Sequence, residues 1–213
     1  AYPKDYMKNN KPYATSLICL GILAYWIFVA FHSSQSLFET QHSRLLLSYD
    51  AVNGQLLDQG GYWRLIISQF THVKFFHMIG NLAFIFLIGT YIERRFGLLV
   101  LLLVYFVGGA VGQYASVLFN PDLVSSGASQ ALCSLSGFSL VQLFKDWRTS
   151  KIAVLVVLLF ISIQCGLDLY FAERLKEGHT FGFLAGGAMS LCMFWKANLW
   201  LVWDRWGTRP HNH

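Results

Sequence analysis

Charged residues are scarce in this sequence: Asp, Glu, Lys and Arg make up 13% of 213 residues, against 55% from the hydrophobic set. A soluble domain usually carries about 25% charge, so an ordinary water-exposed globule is excluded and a membrane protein is expected. Cysteine is equally sparse. The four present, Cys19, Cys133, Cys165 and Cys192, lie in apolar runs without C-x-x-C spacing. That argues against a zinc site or a secreted disulfide framework and leaves them a packing role. H-E-x-x-H, the signature of a zinc hydrolase, does not occur. The pieces Tyr49-Asp50 and Gly166-Leu-Asp168 lack the second glycine and mid-span placement that an aspartyl intramembrane enzyme needs. No metal and no cofactor is expected.

What is present is a series of long apolar runs. Six stretches of about 17 to 25 residues could each cross a hydrocarbon core about 30 Å thick: 14–31, 75–92, 98–119, 127–143, 152–169 and 181–203. The fold class expected is therefore all-α, a polytopic bundle of six transmembrane helices. The first run is too long and too late for a signal peptide and no A-x-A-like site follows it, so it is expected to be retained. The domain reading is a polar lead at 1–13, a membrane domain at 14–203 and a short tail at 204–213.

The formal net charge of +5 does not imply a nucleic-acid partner, because the basic residues follow the topology. They gather at Lys4, Lys8 and Lys11, at Arg94 and Arg95, at Lys145, Arg148 and Lys151, and at Arg205 and Arg209, while the loops between them are poorer in Lys and Arg. By the positive-inside rule both termini are cytoplasmic, which agrees with an even number of spans. The one long connection, 33–74, lies on the outer side. It holds Leu45, Leu46, Leu47, Tyr62 and Trp63 among other apolar residues, so it is expected to be partly helical and to lie in the lipid interface.

Polar groups inside spans are costly and therefore informative. Span 2 opens with His72 and carries His77 and Asn81 at i and i+4 on one face; span 4 opens with Gly127-Ala128-Ser129; span 6 opens with His179. All three openings face the outer side. A serine hydroxyl needs a base within hydrogen-bond reach to act as a nucleophile, and the oxyanion it generates needs donors. Ser129 and His179 are candidates for the first pair, and His77, Asn81 and the Ser129 backbone N–H for the donors. No acidic third member is expected, so the reading is a two-member Ser/His pair. Serines in membrane helices also serve as packing or backbone-bonding groups, and "SSGASQALCSLSG" at 125–137 holds five of them. Small residues recur elsewhere: Gly108/Gly112 in span 3 and Gly182/Gly186 in span 6 form G-x-x-x-G pairs that permit close helix approach.

Taken together, these motifs resemble the rhomboid family of intramembrane serine proteases. Trp63-Arg64 is similar to the family's signature in the first outer loop, and "HVKFFHMIGN" at 72–81 to its H-x4-H-x3-N pattern. "ERRFG" at 93–97 resembles its E-x-x-x-G, "GAS" at 127–129 the start of G-x-S-G, and "HTFGFLAG" at 179–186 its H-x-x-G-x-x-x-G. The resemblance implies Ser129 as nucleophile, His179 as base, and His77, Asn81 and the Ser129 N–H as oxyanion donors. It further implies that His72 shapes the outer cavity, that Arg64 and Glu93 are bracing residues, that Gly127 frees the active-site turn, and that Gly182 and Gly186 let span 6 approach span 4. Two positions depart from the pattern: Gln130 stands where glycine is usual, and Cys133 stands where an aromatic often supports the histidine ring.

The function implied is a serine endopeptidase that cleaves transmembrane segments of membrane proteins within the lipid bilayer, in a bacterial inner (plasma) membrane. Two other classes stay open. Gln130 and Cys133 would suit an inactive relative that binds transmembrane clients. Intramembrane histidines would suit a transporter, although the inner halves of the spans are apolar apart from Lys196.

Overall fold

The computed structural model describes residues 11–33, 36–146 and 151–207. Lys4, Lys8, Arg148 and Arg209, most of the expected lead at 1–13 and the end of the expected tail lie outside the described residues, as do the side chains of Lys145, Lys196 and Arg205. Each of the six apolar runs forms one long helix: α1 (Tyr13–His32), α5 (Phe75–Phe96), α6 (Leu98–Phe119), α7 (Ser129–Asp146), α8 (Lys151–Ala172) and α9 (Glu177–Gly207). Three short helices, α2 (Ser43–Leu46), α3 (Gly54–Asp58) and α4 (Arg64–Ile67), with a 3-10 turn at Leu47–Tyr49, fill the outer loop. Among the described residues there is no strand, only one isolated antiparallel bridge between Val52 and Ser125.

Helices α1, α5, α6 and α8 are long and apolar enough to cross a membrane. Their outward faces stay greasy, as with Ile152, Leu155 and Tyr170 on α8. That is the arrangement lipid demands, with backbone groups bonded within each helix and apolar side chains outside. α7 differs because protein, and not lipid, surrounds it. From Gly127 to Ser139 every residue is buried, and Ser134, Ser136 and Ser139 are fully enclosed. Ser134 Oγ donates to the Val104 carbonyl at 2.8 Å and Ser136 Oγ to the Leu132 carbonyl at 2.8 Å. Hydroxyls satisfied in this way carry little burial cost.

Close apposition of α7 with α6 and α9 depends on small residues. A Cβ on Gly182 or Gly186 would run into the carbonyl oxygens of Gln130 and Ser134, and one on Gly108 into the Ser134 side chain. The backbones of α7 and α9 therefore meet nearly directly. At the opposite end of the bundle the Glu93 carboxylate accepts from the backbone N–H groups of Ala14 (2.9 Å) and Thr15 (2.8 Å) and from the Thr15 hydroxyl (2.6 Å). These are orphan donors of the first turn of α1, so one buried acid fastens α5 to the start of that helix.

The outer loop is tied down at several points. Arg64 donates from Nη1 to the carbonyls of Leu47 (2.8 Å) and Ala51 (3.0 Å), and its Nη2 lies 3.6 Å from Asp50. Val52 and Ser125 exchange two backbone hydrogen bonds of 3.0 and 2.7 Å. The loop is thus joined to the segment that leads into α7.

Candidate active site

The turn before α7 is set by a backbone that only glycine adopts readily: Gly127 has φ of +111°. Its N–H donates to the Ser68 carbonyl at 2.9 Å, and its own carbonyl accepts from Gln113 Nε2 at 2.9 Å. α4 and α6 thereby fix the point at which α7 begins. Ser129 is the first residue of α7, where backbone N–H groups have no partners within the helix. Its Oγ lies 2.9 Å from His179 Nε2 and 3.1 Å from Gln130 Oε1. Both Ser129 and His179 are buried, so the pair is shielded from bulk water.

His179 stands in the first turn of α9, beside Gly178, where a Cβ would strike the Ser116 hydroxyl and the Gly112 carbonyl of α6. Its Nδ1 lies 2.9 and 2.7 Å from the two oxygens of Asp168 on α8. Asp168 Oδ1 also accepts from Gln164 Nε2 at 3.2 Å, and Oδ2 from the Lys176 backbone N–H at 3.2 Å. The expectation that no acidic group joins the Ser/His pair is therefore corrected. Asp168 falls near the end of the apolar run 152–169, but α8 runs on to Ala172 and turns this carboxylate inward. The signal available was its polar spacing with Gln164, at i and i+4 in an otherwise apolar helix.

His72, just before α5, has Nδ1 3.2 Å from the Phe70 carbonyl and so donates there. Nε2 is left as the acceptor for Asn81 Nδ2 at 3.1 Å and for the Ala128 backbone N–H at 3.3 Å. Burial, reinforced by the neighbouring His77, pushes His72 down to about 3, which keeps it neutral and able to accept. His72 is in effect a strut between α5 and the nucleophile turn. Asn81 Nδ2 also lies 3.4 Å from His77 Nε2. His77 Nε2 comes within 4.0 Å of where a Cβ on Gly127 would stand.

Gln130 has room because Gly112 and Gly178 lack side chains: a Cβ on Gly112 would strike the Gln130 side chain. Gln113 links its neighbours, accepting from Ser125 Oγ at 2.5 Å and approaching Gln130 Oε1 at 3.4 Å. Neither Gln113 nor Gln164 stands out in the sequence as a site residue; both lie in the spans as polar exceptions. Cys133 is buried on α7 one turn beyond Ser129. The imidazole is gripped at Nδ1 from α8. Arg64 and Glu93 lie away from this cluster, in the loop and at the far end of the bundle, with the contacts described above. No group of three or more His, Cys, Asp or Glu suited to a metal occurs among the described residues.

The model of the Rhomboid domain family matches residues 59–196, which include the helix mouths just described, and the chain belongs to that family. It is an integral membrane protein of polytopic helical fold. Similar proteins include Rhomboid-like protease 1 of Toxoplasma gondii, 28% identical over 179 residues that cover 78% of this chain and 59% of that protein. Rhomboid protease GluP of Bacillus subtilis (strain 168) is 28% identical over 184 residues, 84% of this chain and 34% of that one. Inactive RHOMBOID-like protein 8 of Arabidopsis thaliana is 34% identical over 101 residues, 46% of this chain and 29% of that protein. The chain thus spans less than two thirds of the length of each of these relatives. The family holds proteases and an inactive member. Relatives in a plant, a parasite and a bacterium leave the expected bacterial membrane without specific support.

Proposed function

We propose that this chain is an intramembrane serine endopeptidase that cleaves transmembrane segments of membrane proteins by acylation of Ser129. The observation carrying the reading is the 2.9 Å contact between Ser129 Oγ and His179 Nε2 at two buried, adjacent helix mouths. In this reading His179 takes the hydroxyl proton as Oγ attacks the scissile carbonyl. The negative charge on the carbonyl oxygen is met by the Ser129 N–H at the start of α7, with His77 and Asn81 on the α5 side. The protonated imidazole then gives its proton to the leaving amine as the C–N bond breaks. Water, deprotonated by the same imidazole, releases the acyl group and restores Ser129.

The substrate must unwind locally, since a helix hides its carbonyls in hydrogen bonds. Small or helix-breaking residues should flank the cleaved bond. Admission beside α8 is the natural route, because it is the least enclosed of the four apolar spans. Both termini are placed in the cytoplasm and the site at the outer side by the distribution of Lys and Arg.

A second reading, an inactive client-binding member, is favoured by Gln130 Oε1, which lies 3.1 Å from Ser129 Oγ and competes with His179 for its proton. A fluorophosphonate probe and a model transmembrane substrate test both. Ser129-dependent labelling and cleavage, abolished in Ser129→Ala and His179→Ala, are expected. No labelling of the folded parent protein would leave the client-binding reading, and parental cleavage by either variant would end the proposed pair.

A further inference from the structure

We infer that Asp168 is the positioning carboxylate of a three-member relay, Ser129–His179–Asp168, which fixes the tautomer of the base and balances its charge during acylation. The inference rests on the reading of Ser129 and His179 as nucleophile and base.

The geometry dictates the tautomer. A carboxylate only accepts, so the contacts of 2.9 and 2.7 Å from Asp168 place the hydrogen of neutral His179 on Nδ1. Nε2 then carries the lone pair and faces Ser129 Oγ at 2.9 Å, as a base must. Gln164 Nε2 lies 3.2 Å from both Nδ1 and Asp168 Oδ1. With Nδ1 already donating, the amide hydrogen goes to the carboxylate. Gln164 and the Lys176 N–H therefore hold Asp168 in place.

Burial sets a high cost on a merely incidental acid here. Asp168 is 2% exposed, inside a predominantly apolar helix, and a lone buried carboxylate is costly. Among the described residues its hydrogen-bond partners are one amide, one backbone N–H and the imidazole, and none is a Lys or Arg side chain, the Lys176 charge acting only through space. The imidazolium formed as Ser129 loses its proton is therefore the cation in direct contact with it. Other ionisable groups facing the site are His77 and Lys74 from the α5 side, Lys176 from the loop before α9, and Cys133 on α7. Proton bookkeeping is unchanged by the acid: the Ser129 proton moves to Nε2 and on to the leaving amine, while Asp168 stays ionised throughout. The same contact explains how the ring is oriented with Cys133, and not an aromatic, one turn beyond the nucleophile.

The test uses the full chain in detergent and in liposomes, comparing the parent with Asp168→Asn and Asp168→Ala. Asp168→Asn keeps the shape, and is expected to lower kcat about a hundredfold or more with KM little changed and thermal unfolding unaltered. Added formate should restore part of the activity of Asp168→Ala and none of Ser129→Ala, a response that a packing role would not give. Independently of turnover, a downfield Nδ1–H proton resonance of His179 is expected in the parent and lost in Asp168→Asn. Near-parental kcat in folded Asp168→Asn, no formate response in folded Asp168→Ala, or no such resonance in the parent would overturn the inference. If Ser129→Ala and His179→Ala are inactive while Asp168→Asn is not, only the role of Asp168 falls. If those two variants cleave, the base assignment itself has failed.

Discussion

At the scale of single residues, the site is decided by which acceptor receives the Ser129 hydroxyl proton. His179 Nε2 and Gln130 Oε1 lie at 2.9 and 3.1 Å, and one O–H cannot serve both. If Ser129 is the nucleophile as proposed, Gln130 competes with His179 through a hydrogen bond that does not lead to attack. Gln130→Gly should raise the rate of fluorophosphonate labelling several-fold by leaving His179 as the remaining acceptor. It should also lower stability by about 1–3 kcal/mol, from the void against Gly112 and Gly178 and the added freedom of a helical glycine. Labelling kinetics and thermal unfolding read the two changes, which are opposite in sign; a slower labelling rate would mean that Gln130 supports the nucleophile.

At the scale of elements, α7 and α9 hold the pair together because their backbones nearly touch. Gly186→Val would drive a side chain into the Ser134 carbonyl and separate the helices. A loss of at least about 1–3 kcal/mol, with loss of labelling, is expected. Gly166→Ala on α8, where a Cβ would meet nothing within 4 Å, is expected to be neutral within about 1 kcal/mol. Thermal unfolding of the two variants in the same detergent checks the contrast. The sequence made the Gly182/Gly186 face legible because regular spacing on a helix maps directly onto one side of it. It did not disclose that this face meets the carbonyls of Gln130 and Ser134, since those contacts depend on the register between helices. Asp168 escaped for a related reason. Apolar residues mark a span but do not say which way a polar residue near its end faces, and only the continuation of α8 to Ala172 carries the carboxylate inward. Likewise the polar content of α7 hid how deeply it is enclosed, because hydropathy registers contact with lipid and not contact with other helices.

At the scale of the whole molecule, the helix mouths carrying His77, Ser129 and His179 share one end of the bundle, while Glu93 anchors the other. In the proposed topology, read from the distribution of basic residues, the first end faces the outer side. Asp122→Cys, in the connection between α6 and α7, should then react with a membrane-impermeant maleimide from the outer face of intact cells or sealed right-side-out vesicles. Labelling only after the inner face is opened would invert the topology.

The two backbone hydrogen bonds between Val52 and Ser125 also bear on how the molecule is assembled. Val52 leaves the ribosome long before Ser125, and α5 and α6 must both be threaded through the bilayer before the two residues can meet. Until then the outer loop has emerged but has no partner for this edge. Its final docking is therefore a late, long-range closure, slow in the way that non-local pairings are. The nucleophile turn and the loop beside it cannot be joined before that closure, so the site stays unfinished at least until Ser125 has been made.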